Sequence, residues 1–204
     1  MAESNRPNWY LIIGVGALVT VAGFAVRALM RHGLQEVLFG EVRKRQAASE
    51  ERELGAARSE YERWLALTRL TLDELDSKPA SEVRAHANEV LTIAAKYQND
   101  WNYGNAIHKG NLALGRLALR EGKVDEAGKY LLLAGQTPGS PQLNTFGPNM
   151  SLAKELLERG DRQKVLEYFE LCAKFWKQDR GQLKIWSLQV KGGAEPAFGA
   201  NLLY

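Results

Sequence analysis

From Trp9 to Val26 every side chain is uncharged and most are apolar, whereas beyond Arg31 apolar residues recur only at helical spacing among many charges. Eighteen uncharged residues, extended through Ala28, Leu29 and Met30, can cross a hydrocarbon core of roughly 30 Å at about 1.5 Å per residue. Trp9 and Tyr10 stand where an interfacial aromatic anchor belongs, and Arg27 can snorkel to the opposite headgroup layer. A cleaved secretory signal is the alternative. Little positive charge precedes the run and no clean A-x-A site follows it, which favours an uncleaved anchor. Residues 1–8 are thus expected to form a short tail and 9–30 a single transmembrane helix.

From Leu34 to Asp76 the chain is rich in helix formers and has no proline, so a charged helical arm is expected over 33–76, with weak points at Gly40 and Gly55. Its second half carries Tyr61, Trp64, Leu65, Thr68, Leu72 and Leu75 as a stripe of helical period, the face by which the arm packs on the helical domain C-terminal to it. Pro79 breaks that helix, Ser81 is placed to cap the next, and Val83, Ala87, Val90, Leu91 and Ala94 give it an apolar face. Asp100 is expected to cap a helix reaching Glu121. Gly122, Gly135 and Gly160 follow periodic segments as stop signals. Two final helices are predicted over 162–177 and 182–191. No alternating β pattern occurs, so the class is all-α.

Alignment on the glycines exposes a repeat. Asn111–Ala134 and Asn149–Cys172 each run from Asn to Leu114 or Leu152, then a small residue, Gly115 or Ala153. A turn glycine follows seven positions on, Gly122 or Gly160. Beyond it come Ala127 or Val165, then Leu131 or Phe169, then Ala134 or Cys172. Antiparallel helices approach closely only where small residues meet, and a short glycine turn must reverse the chain between them.

This order resembles the tetratricopeptide repeat. The resemblance rests on Leu114, Gly115, Gly122, Ala127 and Ala134 in one unit and Leu152, Ala153, Gly160 and Phe169 in the other. It departs from the family at Asn111 and Asn149, where a Trp is usual, and at Ala118 and Leu156, where the first helix usually has an aromatic. The turn glycines lie 38 residues apart, against about 34 in the family. The excess falls in the Pro-rich loop 136–148, whose Leu143 and Phe146 either seal the groove or present an insertion. A divergent hairpin near 58–76 and 82–97 supplies a third unit, since stacked repeats need about three. Generic helical hairpins are the alternative. The expected architecture is one N-terminal transmembrane helix followed by a small tetratricopeptide-like array over 80–191 and an apolar tail over 192–204.

Charge then narrows the function. Setting aside residues 1–32, with Arg6, Arg27, Arg31 and Glu3, leaves 24 basic and 23 acidic side chains of the chain's 27 and 24. A near-balanced remainder lacks the basic face that nucleic acid requires. Bases crowd the C-terminal flank of the apolar run, at Arg27, Arg31, Arg43, Lys44 and Arg45, so the positive-inside rule places the helical part in the cytoplasm. One cysteine forbids an intramolecular disulfide. His32, His86 and His108 are scattered without ligand spacing, Cys172 sits where the repeat wants a small residue, and no nucleophile elbow, phosphate loop or zinc motif occurs. No catalytic group, metal or cofactor is expected, and the chain is read as a non-enzyme.

Binding is the remaining role. Asn105, Lys109, Leu112, Arg116 and Arg120 share one helical face. In tetratricopeptide relatives that face lines the concave surface, and the resemblance extends it to Met150 and Lys154 in the next unit. Phe198 and Tyr204, with Leu202 and Leu203, make the tail too apolar to stay free, so it packs on the last helix or on another protein. The expected function is a membrane-anchored adaptor that docks a protein partner. A structural subunit of a larger membrane complex, packed through Gly14, Gly16, Ala17 and Gly23, is the alternative.

Overall fold

A computed structural model describes Arg45 and residues 48–203. The apolar run 9–30, the first part of the arm, His32 and Tyr204 lie outside the described residues. Among the described residues the secondary structure is helical without strands, and no helix is long and apolar enough to cross a membrane. Helix α1 covers residues 48–56 and is followed by α2 (Glu60–Leu70), α3 (Ala80–Ala94), α4 (Tyr103–Arg120) and α5 (Val124–Gly135). A short α6 (Pro141–Phe146) precedes α7 (Ser151–Glu158), α8 (Arg162–Cys172) and α9 (Gln182–Lys191). Single 3₁₀ turns span Asp73–Asp76 and Gly199–Leu202.

The expected continuous arm is broken at residues 57–59, two residues beyond Gly55. Ser59 accepts from the Glu62 N–H at 3.1 Å, while the Glu62 carboxylate accepts from the Arg58 N–H at 2.7 Å. This reciprocal arrangement satisfies amides that a helix start leaves without partners, and it begins α2 anew. Two other starts differ from expectation: α3 begins at Ala80 after Pro79, not behind Ser81, and α4 begins at Tyr103. Asp100 instead accepts from the Asn102 N–H at 2.7 Å and the Tyr61 hydroxyl at 2.9 Å. Helix α8 stops at Cys172, short of Lys177, and α6 occupies what was expected to be open loop.

Among the described residues the helices α2/α3, α4/α5 and α7/α8 form antiparallel pairs. In α2/α3 the Trp64 indole N–H donates to the Val90 carbonyl at 3.1 Å, and Arg63 grips Glu89 at 2.5 and 2.9 Å. In α4/α5 Gly115 faces Ala127 and Tyr130 while His108 reaches Ala134, so the two chains run in opposite senses. In α7/α8 the connecting turn copies the one in α4/α5. Gly122 has φ 77° and Lys123 lies at φ −88°, ψ 68°; Gly160 has φ 86° and Asp161 lies at φ −81°, ψ 65°. In each turn the glycine N–H donates three residues back (Gly122 to Leu119, Gly160 to Leu157). The next N–H donates five back, Lys123 to Ala118 at 2.9 Å and Asp161 to Leu156 at 3.0 Å. These are paired Schellman closures, and glycine at the left-handed position makes them cheap.

The second pair stacks on the third in the same sense. Along α5 and α8, Gly128 faces Lys164 and Gly135 faces Leu171, a parallel match. Along α4 and α7, Gly115 faces Leu152 and Arg116 pairs with Glu155. The seam between them is the main core, with Leu112, Leu131, Met150, Leu152, Tyr168 and Phe169 all essentially inaccessible. The predicted stripe is buried across two elements: on α2 Trp64 packs on α3 and α4 and Thr68 is buried, while Leu75, carried by the 3₁₀ turn, packs on α3 and α4. Helix α9 covers α8, and the tail closes the end, with Phe198 edge-on to Trp186 at 4.9 Å.

Gly115 marks a close approach of α4, α5 and α7. A methyl there would lie 2.3 Å from Leu152 Cδ2 and 3.0 Å from Tyr130 Cβ, so three helices must separate to admit a larger side chain. Overpacking of this kind costs about 1–3 kcal/mol. Gly115→Leu is therefore expected to lower the melting temperature of the full-length protein by several degrees, whereas Arg162→Ala, at an exposed position, leaves it unchanged. Equal tolerance of the two changes in a thermal melt contradicts the crossing.

Candidate functional site

A cavity of about 400 Å³ opens between α2, the start of α4 and the segment that links α5 to α7. Thr68 and Arg69 contribute from α2, Trp101 and Asn102 from the turn before α4, and Asn105, His108 and Lys109 from α4. Gln142, Leu143, Phe146, Gly147 and Asn149 form the opposite wall. The size falls in the range of ligand pockets. Trp101 and Phe146 remain about half exposed at the opening, at 47% and 57%.

Close backbone approach seats the wall. A methyl on Gly104 would fall 1.8 Å from the Gly139 carbonyl oxygen, so only glycine permits α4 to meet the loop there. The Thr137 hydroxyl donates to the Gly104 carbonyl at 2.7 Å and accepts from the Gly139 N–H at 3.2 Å. Ser140 then caps α6, its Oγ accepting from the Leu143 N–H at 3.0 Å and donating to Asn105 Oδ1 at 2.6 Å. Pro141 at the first helical position completes the start.

His108 is the buried pin of this region. Its Nδ1 lies 3.1 Å from the Ala134 carbonyl, which can only accept, so Nδ1 carries the proton. Its Nε2 therefore accepts from the Asn149 N–H at 3.2 Å. Burial drives the imidazole pKa down to about 4, with neighbouring Lys109 acting in the same direction and the Ala134 carbonyl opposing it. Asn149 is held from the other side by the Tyr168 hydroxyl, which donates to its carbonyl at 3.0 Å.

The polar groups that line the cavity divide unevenly. Asn105 Nδ2 donates to Asn102 Oδ1 and to Gln142 Oε1, both at 3.1 Å, and Asn105 Oδ1 accepts from Ser140. The amide oxygens thus already accept a bond. Among the described residues Asn102 Nδ2 is buried without an acceptor. No salt bridge among the described residues holds Lys109; desolvation lowers its pKa, while Asp73 and Glu50 oppose this only through space. Arg69, at the rim, is paired with Glu53. What remains to offer is donor capacity around one ammonium group.

The residues of the expected basic face fall into different surroundings. Asn105 and Lys109 line the cavity, but Leu112 and Met150 are wholly buried in the core and present nothing to a partner. Arg116 is held by Glu155 at 2.6 Å, Arg120 by Asp76 and the Leu75 carbonyl, and Lys154 by Glu158. Phe198 is buried in the core against Phe169 and Trp186; Tyr204 lies outside the described residues. In loop 136–148 Leu143 is buried and Phe146 is exposed. His86 pairs with Glu74 at 2.8 Å, and Cys172 is buried with its thiol pKa pushed up by desolvation. No group of metal-binding side chains occurs among the described residues. Periodicity alone did not single out Asn102, His108, Gln142 or Asn149; a signal for the wall lay in Ser140-Pro141, an N-cap followed by proline.

No protein-family profile matches this chain, nor does any curated protein or solved structure.

The folded-state pKa of His108, about 4, lies below the unfolded value of about 6.5, so the folded state resists protonation. Its contribution is present above pH 6.5 and is lost as pH falls toward 4, by at most about 1.4 kcal/mol per pH unit. Denaturant melts at pH 6.5 and 5.0 are expected to show that loss in the wild type. His108→Phe, which orphans the Asn149 N–H, should be less stable by about 2 kcal/mol at pH 7 and lack that part of the pH dependence. An unchanged pH slope in the variant contradicts the assignment.

Proposed function

We propose that this protein is a binding module, a tetratricopeptide-like stack held at a membrane by residues 9–30. It docks an extended segment of a partner protein in the cavity beside α4. The observation that carries the reading is the cavity's chemistry. Lys109 has no ion-pair partner among the described residues, the amide oxygens near it are engaged, and Trp101 and Phe146 stand partly exposed at the same opening. A ligand that suits this arrangement brings an anionic acceptor for Lys109 and a flat apolar group for the rings. Carboxylate-bearing peptide segments with an aromatic side chain have both.

The repeated Schellman turns and the parallel match of the second and third hairpins support the tetratricopeptide-like part of the reading. The apolar run and its basic C-terminal flank support the anchor, with the helical stack on the cytoplasmic side. The charge balance of the remainder speaks for protein and against nucleic acid as the partner.

Calorimetric titration of the full-length protein with N-acetyl-L-tryptophan and with its neutral amide tests the chemistry. The carboxylate is expected to bind at least tenfold more tightly, since a charge-assisted bond is worth about 1.5–3 kcal/mol. Lys109→Met should abolish the difference, and Lys109→Arg should retain most of it. Equal affinity for acid and amide in the wild type overturns the reading.

A further inference from the structure

The wall segment 146–150 has an unusual set of hydrogen-bond partners. Beyond Phe146, the last residue of α6, residues 147–150 belong to no helix or strand, yet all four are buried. Their backbone groups must be paired by something else. The Gly147 N–H donates to the Leu143 carbonyl at 3.1 Å, and Pro148 has no N–H to satisfy. Asn149 uses His108 and Tyr168. Three further groups fall to one distant residue. Asn201 Nδ2 donates to the Phe146 carbonyl at 3.1 Å and to the Pro148 carbonyl at 3.0 Å, while the Asn201 carbonyl accepts from the Met150 N–H at 2.7 Å.

That set fits asparagine closely. Both N–H groups of its amide are used on two carbonyls of the wall, so a carboxylate of the same shape would face two acceptors with nothing to donate. Asn201 is buried, at 8% exposure. The wall also leaves no room to move inward, because a methyl on Gly147 would lie 2.6 Å from the Trp176 ring and 2.7 Å from Asn201 Nδ2. The segment that carries Asn201 is itself rooted: Phe198 lies edge-on to Trp186 and 6.2 Å from Phe169, and Leu202 packs on the same core.

We propose that the C-terminal segment 198–203 is a strap that positions the cavity wall, with Asn201 as its positioning residue. The ligand site at Lys109 then depends on residues that do not line it. This rests on the reading of the cavity as a binding site. In consequence, the tail, which the sequence offered as a contact surface, acts on recognition from behind. Loss of the strap frees Phe146, Gly147 and Asn149 from their places in the cavity lining without touching Lys109 or Trp101.

The test compares full-length wild type, Asn201→Asp, Asn201→Ser and a control, Asp179→Ala. Asp179 accepts from the Leu183 N–H at 3.2 Å at the start of α9 and does not line the cavity, so its loss lowers stability without removing a bond to the wall segment 146–150. Two quantities are read: hydrogen exchange of the Gly147 and Asn149 amides, and affinity for N-acetyl-L-tryptophan. The strap predicts that Asn201→Asp speeds exchange at both amides and weakens the probe, each by at least tenfold. Asn201→Ser, with one donor left, should fall between. Asp179→Ala should lower the melting temperature while changing neither quantity. The proposal is overturned if the Asn201 variants match Asp179→Ala in both readouts, or if their losses merely follow their melting temperatures. Should Asn201→Asp fail to fold, Asn201→Ser carries the comparison. If the wild type does not bind the probe, the cavity reading fails by itself, and amide exchange alone decides the strap.

Discussion

A neutral imidazole has one donor and one acceptor, and His108 spends both inside the protein. Its Nδ1–H ties the last turn of α5 through Ala134, and its Nε2 takes the amide of Asn149, which opens the approach to α7. The two hairpins are thereby joined through a ring borne by the first helix of one of them. The ring lies nearly parallel to Tyr168 at 6.4 Å and edge-on to Phe175 at 6.3 Å, so it is enclosed by apolar surface as well as bonded. Protonation would place a second donor against the Asn149 N–H and put a charge in that enclosure. Burial thus selects the tautomer, and the tautomer places the wall.

Much of the stack was legible in the chain because its determinants are local. Gly122 and Gly160 predict reversals from backbone sterics alone, and the small residue Gly115 foretells a close crossing that a methyl cannot enter. The apolar stripe on α2 follows from period. Where expectation and structure part, the deciding partner is elsewhere. The arm was expected to run on as one helix through a capping pair, Ser59 and Glu62, because helix propensity outweighs a two-residue signal. Period places Arg116, Arg120 and Lys154 on exposed faces, but it carries no information about the carboxylates of Glu155, Asp76 and Glu158 that meet them.

The cavity was the least legible feature, for a related reason. Its lining comes from α2, from α4 and from the 142–149 segment, brought together by a contact between two glycine backbones at 104 and 139. Neither glycine stands in a motif. Among the described residues of the expected basic face, Asn105 and Lys109 line the cavity. Leu112, on the same face one turn later, is lost to the core because α4 dips between its neighbours there. A helical face is therefore a surface for part of its length and an interface for the rest. The proposed ligand chemistry comes from the Lys109 ammonium group and the Asn102 amide donor, at an opening where Trp101 and Phe146 are partly exposed.

The hold on the wall at Asn149 depends on the state of one ring, and nitrogen-15 NMR of the His108 imidazole in the full-length protein observes it directly. The structure predicts a neutral ring protonated at Nδ1, with no titration near pH 6.5 as the pH is lowered from 7 to 5. A ring protonated at Nε2, or one that titrates near pH 6.5, would contradict the link to Ala134 and Asn149 and with it the placement of the cavity wall.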